Sequence, residues 1–338
     1  MLSSDERSKI LDSSDQKRIN LSFYQYAKIN NTQKFRDKLF IFWDSIDVLG
    51  RIYIASEGIN AQLSLPESNF NKFTEHLKTI SFLQNTRLNI ALKHEKKSFL
   101  KLKIKIRNKI VADGLSDASF DVTNKGIHLD AKGFNSMMEK KNSIVLDMRN
   151  HYESEIGHFK NAICPDVDTF RDSLETIENN LKDHKEDKNL LMYCTGGIRC
   201  EKASAYFKHR GFKNVFQLDG GIIEYAKQVQ KKGLINNFVG KNFVFDNRRT
   251  EKISDDIIAK CHQCGSPFDI HTNCANDACH LLFIQCDKCK EKMNNCCSYE
   301  CMKINQMPFK TQKRLRKGQK NKNDIFKKGR VSNITTFK

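Results

Sequence analysis

The chain has 338 residues, 39% of them hydrophobic, and a formal net charge of +18. That is enough apolar material for two or three domains with real cores, and too much for a disordered chain. The first twenty residues are polar, with no apolar core of a secretory signal. No run approaches the roughly 18 apolar residues that cross a bilayer, so the expectation is a soluble, cytoplasmic protein with no membrane role.

Twelve cysteines in a chain of this kind point to metal binding or catalysis rather than to a disulfide framework, because the cytosol keeps thiols reduced. Three of them (Cys164, Cys194, Cys200) lie mid-chain, and nine crowd between Cys261 and Cys301.

After a polar extension over 1–20, residues 21–112 predict a small α+β unit. Strands are expected at 21–27, 51–55 and 61–65, with the turn Ser56-Glu-Gly-Ile-Asn60 between the last two. Helices are expected at 32–48 and 66–80, and further strands at 86–93 and 99–107. The β-α-β-β-α-β order suggests a ferredoxin-like sheet. Within it, Leu100, Leu102, Ile104 and Ile106 alternate with Lys101, Lys103, Lys105 and Arg107, the pattern of a half-buried strand. At about 3.3 Å per residue the four cations span roughly 20 Å of one face. Lysine on a wet face is ordinary, but four cations with no interleaved acid make this a candidate phosphate-backbone contact.

A connector over 113–130 precedes a second unit, 131–239. Its short apolar strands, 144–147 and 190–193, alternate with helices and predict a parallel sheet, whose ligands bind at the carboxyl ends of strands. Cys194 stands at such an end, followed by Thr195, Gly196, Gly197, Ile198 and Arg199. Glycines let several N–H groups converge on one point, the next helix adds its positive dipole end, and Arg199 adds a charge; all three favour a thiolate. Cys200 is either a resolving thiol for an oxidised Cys194 or a small packing residue.

In 240–301, Cys261-x2-Cys264, Cys274-x4-Cys279, Cys286-x2-Cys289 and the group Cys296, Cys297, Cys301 give four ligand pairs with one cysteine to spare. Two knuckles and two looser pairs suggest two structural zinc ions, in separate or interleaved sites. Spacing leaves open which of Cys296 and Cys297 binds, whether His262, His271 or His280 substitutes, and whether the metal is an iron–sulfur cluster. The tail, 302–338, holds twelve Lys or Arg against Asp324 alone. It is expected to be solvated and disordered, with Arg314, Arg316 and Lys317 as candidate contacts to a polyanion, nucleic acid first.

Asp147-Met-Arg149, Glu153, Gly157-His-Phe-Lys-Asn-Ala162, the Cys194 loop and Asp219-Gly-Gly221 resemble a rhodanese domain. Asn161 departs from a frequent glycine. The resemblance implies that Asp147 and Arg149 brace the loop, His158 packs, and Cys194 is the nucleophile that carries a persulfide. Ala55-Ser-Glu-Gly-Ile-Asn60, Tyr193 to Ser204, Gly240 to Asp246, His271 to Cys274 and His280 to Cys286 together resemble the rhodanese-like, oxygen-dependent tRNA uridine hydroxylases. That family implies an oxidoreductase forming 5-hydroxyuridine at wobble position 34, with tRNA as partner and molecular oxygen as co-substrate. Sulfur transfer through a Cys194 persulfide is the alternative. No flavin or nicotinamide fingerprint is visible, and no obligate protein partner is indicated.

Overall fold

The computed structural model describes residues 3–115, 120–317 and 332–337. Helix α1 (Ser4–Ser13) lies within the polar extension, where Ser3 and Glu6 form a capping box. The first sheet begins earlier than the apolar pattern alone suggests. It comprises β1 (Arg18–Tyr26), α2 (Thr32–Ser45), β2 (Leu49–Ala55), β3 (Gly58–Pro66), α3 (Phe70–Lys78), β4 (Asn89–Ile90) and β5 (Leu102–Ile106). The expected helix over 66–80 splits into a 3-10 turn, Glu67–Asn69, and α3. The strand expected over 86–93 pairs only through β4.

Strand order is β4-β1-β3-β2-β5, the ferredoxin-like arrangement with a fifth strand added parallel to β2. One face buries Leu21, Phe23, Ile52, Ile54, Ala61, Leu63 and Ile104 against Trp43 and Phe73 of the two helices. Among the described residues, the opposite face carries no helix of its own domain. Its residues are Ser22 and Tyr24 of β1, Arg51 and Tyr53 of β2, and Asn60 and Gln62 of β3. Strand alternation requires this, since the apolar set occupies the other side.

The connector ends in a strand rather than a loop. β6 (Ile127–Leu129) begins the second domain, followed by α4 (Ala131–Met138), β7 (Ser143–Asp147), α5 (His151–Ser154), β8 (Gly157–Phe159), α6 (Phe170–Leu181), β9 (Asn189–Tyr193), α7 (Ile198–His209), β10 (Asn214–Leu218) and α8 (Gly221–Lys232). The sheet β6-β10-β9-β7 is parallel throughout. Residues of β9 are buried on both faces, as a central parallel strand requires. Asn161 has φ +59°, a left-handed position that glycine fills freely and asparagine tolerates.

β11 (Phe238–Phe243) joins β8 and β12 (Thr250–Lys252) in a three-stranded sheet, so the cysteine-rich region is anchored to the second domain by backbone pairing. β13 (His271–Asn273), β14 (Leu282–Ile284), α9 (Asp287–Lys292), α10 (Tyr299–Gln306) and α11 (Phe309–Arg316) follow. The described part of the basic tail therefore departs from the disordered expectation. It opens in two helices, and its last described residues fold back: Thr335 N donates to Cys297 O (3.0 Å), and the Lys292 ammonium sits 3.5 Å from the Phe337 ring centroid. The remaining tail cations, residues 318–331 and 338, lie outside the described residues.

Candidate active site and metal centres

Cys194 leaves β9 and lies at the amino end of α7, almost fully buried. The Gly197 N–H donates to its Sγ at 3.1 Å, with Gly197 at φ +101°, a conformation that aims the amide at the sulfur and is disfavoured for other residues. Burial pushes the thiol pKa up. The Cys200 thiol, the Arg199 charge and the N–H groups of Cys200 and Arg199 outweigh it and hold Cys194 down to about 6. Cys200 is itself buried, and burial and its bond to Cys194 push its pKa well up. It is a hydrogen-bond donor to the thiolate.

Arg199 is not a free cation. Its guanidinium forms a two-pronged ion pair with buried Glu153, Nη1 to Oε1 at 2.6 Å and Nη2 to Oε2 at 2.8 Å, and Nη2 also donates to Thr195 Oγ1 at 3.4 Å. Below it, Arg149 is paired with Asp147 (Nη2 to Oδ2, 2.6 Å) and donates to Gly157 O, while Asp147 accepts from Tyr193 Oη at 2.6 Å. The charged members of this group are all buried, so each charge has a fixed partner. The Asp219-Gly-Gly221 motif closes the far side. Ile222 N donates to Cys194 O and Ile223 N to Thr195 O, so the first turn of α8 satisfies the loop's carbonyls. A Cβ on Gly221 would lie 2.5 Å from Cys194 O.

The open face of the first sheet covers this loop. Tyr24 Oη donates to Glu201 Oε1 (3.1 Å), Tyr26 Oη to Ile198 O (3.3 Å), and Asn89 Nδ2 to Gly196 O (3.3 Å). Arg87 pairs with Asp219 at 2.6 Å, and the fully buried Lys202 pairs with Glu57 and Asp113. Between sheet and loop is a cavity of about 400 Å³, lined by Cys194, Thr195, Gly196, Ile198 and Arg199 on one side. Ser22, Tyr24, Arg51, Tyr53, Asn60, Gln62 and Asn89 line the other, with Tyr152, Phe170 and Phe245 at its margin. A volume of this size falls within the range of small-molecule sites.

Register extends the sheet side outward. Arg51 pairs with Lys103 and Tyr53 with Lys105, and directly paired residues share a face. Lys101, Lys103, Lys105 and Arg107 are all exposed, and Arg107 lies 5.5 Å from the Tyr53 ring centroid. Partial burial and then the like charges of Lys101, Lys105 and Arg51 lower the Lys103 pKa, a sign of how closely these cations crowd. Tail residues Arg314 and Lys317 are exposed, but Arg316 is paired with Asp277 at 3.0 Å.

The sheet residues lining the cavity were not predicted from the sequence as site residues. Their only signal is a run of polar and aromatic residues on the non-apolar face of central strands β1 and β3.

Two groups of four thiols can each hold a metal ion: Cys261, Cys264, Cys286, Cys289, and Cys274, Cys279, Cys297, Cys301, with all sulfurs of a group within 4.8 Å of one another. Sulfur separations of 3.6 Å (Cys264–Cys286), 3.7 Å (Cys279–Cys297) and 3.7 Å (Cys297–Cys301) match the edge of about 3.8 Å for a tetrahedron with 2.3 Å metal–sulfur bonds. Backbone N–H groups of Cys286 and Cys297 point at Cys261 and Cys274 sulfurs, as thiolates require. The ligand order is interleaved. Cys296 belongs to neither group, its thiol turned to Asn294 O. None of the three histidines joins a group, and His262 and His280 are engaged by Glu155 and Asn273.

Fold and site together define a rhodanese-loop protein with an added sheet domain and two four-cysteine centres. Family profiles agree, matching a UPF0176 acylphosphatase-like domain at residues 18–110, a rhodanese-like domain at 130–228 and a rhodanese C-terminal region at 239–302. Over 323 residues the chain is 53% identical to a tRNA uridine(34) hydroxylase of Leptospira interrogans, covering 96% of this chain and 88% of that one. It is 52% identical to the protein of the same name in Escherichia fergusonii (93% and 89% covered) and 49% to that of Salmonella gallinarum (97% and 94%). The chain belongs to the tRNA uridine(34) hydroxylase family.

Proposed function

We propose that this protein hydroxylates C5 of the wobble uridine, position 34, of tRNA, as an oxidoreductase that uses molecular oxygen. The observation that carries the proposal is a thiol held at about pKa 6 on one wall of a cavity with room for a base. The other wall of that cavity continues into an exposed row of cations. In this scheme Lys101, Lys103, Lys105 and Arg107, with Arg314 and Lys317, hold phosphates. A base turned out of the anticodon loop, whose unstacked bases are free to leave, enters the cavity.

The Cys194 thiolate then adds to C6 of uracil, which makes C5 electron-rich towards the oxidant. One atom of molecular oxygen is bound at C5 as the hydroxyl and the other leaves as water, with two electrons and two protons drawn from an external reductant. Loss of the C5 proton and departure of the thiolate then restore the ring. Arg199 and the amides of the loop over Thr195, Gly196, Gly197 and Ile198 keep the sulfur anionic when it leaves. Asp147 and Arg149 hold the loop's shape, and Cys200 donates to the thiolate rather than resolving it. The two four-cysteine centres would hold zinc, as closed thiolate sites that stabilise the fold and offer no open position for chemistry. Units 21–112, 131–239 and 240–301 would act as one enzyme on tRNA, in the cytoplasm where tRNA is processed, with no protein partner required.

Nucleoside analysis of tRNA from cells whose only copy carries Cys194→Ala tests the proposal. Loss of 5-hydroxyuridine is expected, and an undiminished level would overturn it. Sulfur transfer would instead show as Cys194-dependent consumption of thiosulfate with labelled sulfur, at equal rates under air and nitrogen.

A further inference from the structure

The segment Ala55-Ser-Glu-Gly-Ile-Asn60 is built around one residue, Ile110, at the cavity wall. Glu57 Oε1 accepts from Ile110 N at 2.7 Å, and Asn60 Nδ2 donates to Ile110 O at 3.3 Å. The hairpin is kept close by Gly58, at φ +145°, where a Cβ would lie 2.1 Å from Gln25 O. Asn60 stands between Tyr24 and Tyr53 in the register of the three central strands, on the face that looks at Cys194, and is half-buried.

Its amide nitrogen gives one of its two N–H donors to the Ile110 carbonyl. Rotating the carboxamide by half a turn would set oxygen against oxygen, so the orientation is fixed. The acceptor that Asn60 presents is its carboxamide oxygen, which accepts no hydrogen bond from the described residues.

A fixed, unshared acceptor in a cavity that admits a base discriminates between pyrimidines. Uracil presents a donor at N3, and cytosine presents a lone pair there. Gln62, the other central carboxamide on this face, makes no side-chain hydrogen bond to the described residues. It can turn to suit either base. We infer that Asn60, anchored by Ile110, is the specificity-determining residue that selects uracil over cytosine at position 34 by accepting the N3 hydrogen, with Tyr53 and Tyr24 flanking the base. The inference rests on the proposed function and adds the residue that reads the base.

Two anticodon stem-loops that differ only in U34 or C34 test it, with affinity measured on the full chain as wild type, Asn60→Ala and Gln62→Ala. The wild type is expected to prefer U34 by about tenfold, the worth of one hydrogen bond set against an unpaired acceptor. Asn60→Ala brings the two affinities within about twofold by weakening U34 alone, so its retained C34 affinity reports a folded variant. Gln62→Ala leaves the ratio as in wild type. A preference that survives Asn60→Ala, or collapses in Gln62→Ala instead, overturns the inference, and so does a wild type without preference. The same preparations are assayed for 5-hydroxyuridine on whole tRNA. A wild type that forms none sinks the proposed function itself, whereas an active wild type with an indifferent Asn60→Ala sinks only the role of Asn60.

Discussion

At the scale of single residues the chemistry turns on one proton. Cys194 is reactive as the anion, so a rate that needs it is flat above its pKa and falls about tenfold per pH unit below about 6. Cys200→Ala removes the largest of the influences that lower this pKa. Alkylation of Cys194 by iodoacetamide, followed by mass spectrometry across pH, should show the inflection moving upward in that variant; an unmoved inflection would make Cys200 a packing residue only.

The same scale shows where sequence stopped. It gave Arg199 a full charge beside the sulfur, but a bidentate Glu153 takes most of the guanidinium's hydrogen bonding. Glu153 is 46 positions away, and no local pattern joins the two. Cys296 and Cys297 are likewise equivalent in spacing, and only the direction of the chain between Asn294 and Ser298 decides which sulfur turns inward.

Elements act by bringing backbone to the sulfur. The first turn of α8 satisfies the carbonyls of Cys194 and Thr195, so Gly221→Ala, which places a methyl 2.5 Å from one of them, should push the loop off its amide donors. The expected outcome is activity lowered by tenfold or more with a folded protein by circular dichroism, and a normal rate would show that the loop gives way freely.

Strand β5 was legible because alternation of Leu and Ile with Lys and Arg is a local signal. Its partner was not. That it adds parallel to β2, and so aligns Lys103 and Lys105 with Arg51 and Tyr53, is a matter of register that the sequence does not carry. If these cations contact phosphate, Lys103→Gln and Lys105→Gln should each weaken tRNA binding and reduce the slope of log affinity against log salt by about one. An unchanged slope would mean that the face is only solvated.

Across the whole molecule, three regions converge on one cavity. The first sheet gives its uncovered face to the Cys194 loop, and the ion group of Lys202, Glu57 and Asp113 locks hairpin, connector and α7 together. The third region is paired to the second through β11 and β8 and reaches the first through Arg248 on Lys93 O and Leu92 on Glu251. Domain types could be inferred from motifs, since the knuckles, the Gly-Gly loop and the strand–helix order are all short-range. Their convergence could not, because it rests on polar residues of β1 and β3 that look like ordinary surface until another domain covers them.

The interleaved ligand order ties residues 261–289 to 274–301. Metal analysis should give two ions per chain in the wild type and in Cys296→Ser, and about one in Cys297→Ser; two ions retained in Cys297→Ser would reassign the second centre.

The central claim is that a thiolate in this cavity hydroxylates a tRNA uridine with molecular oxygen. It is tested most directly by incubating purified wild-type and Cys194→Ala protein with unmodified tRNA and the reductant of a cell extract, under air and under nitrogen, and measuring nucleosides by mass spectrometry. The account predicts 5-hydroxyuridine only with the wild type and only under air. Product formed by Cys194→Ala, or formed equally under nitrogen, would contradict it.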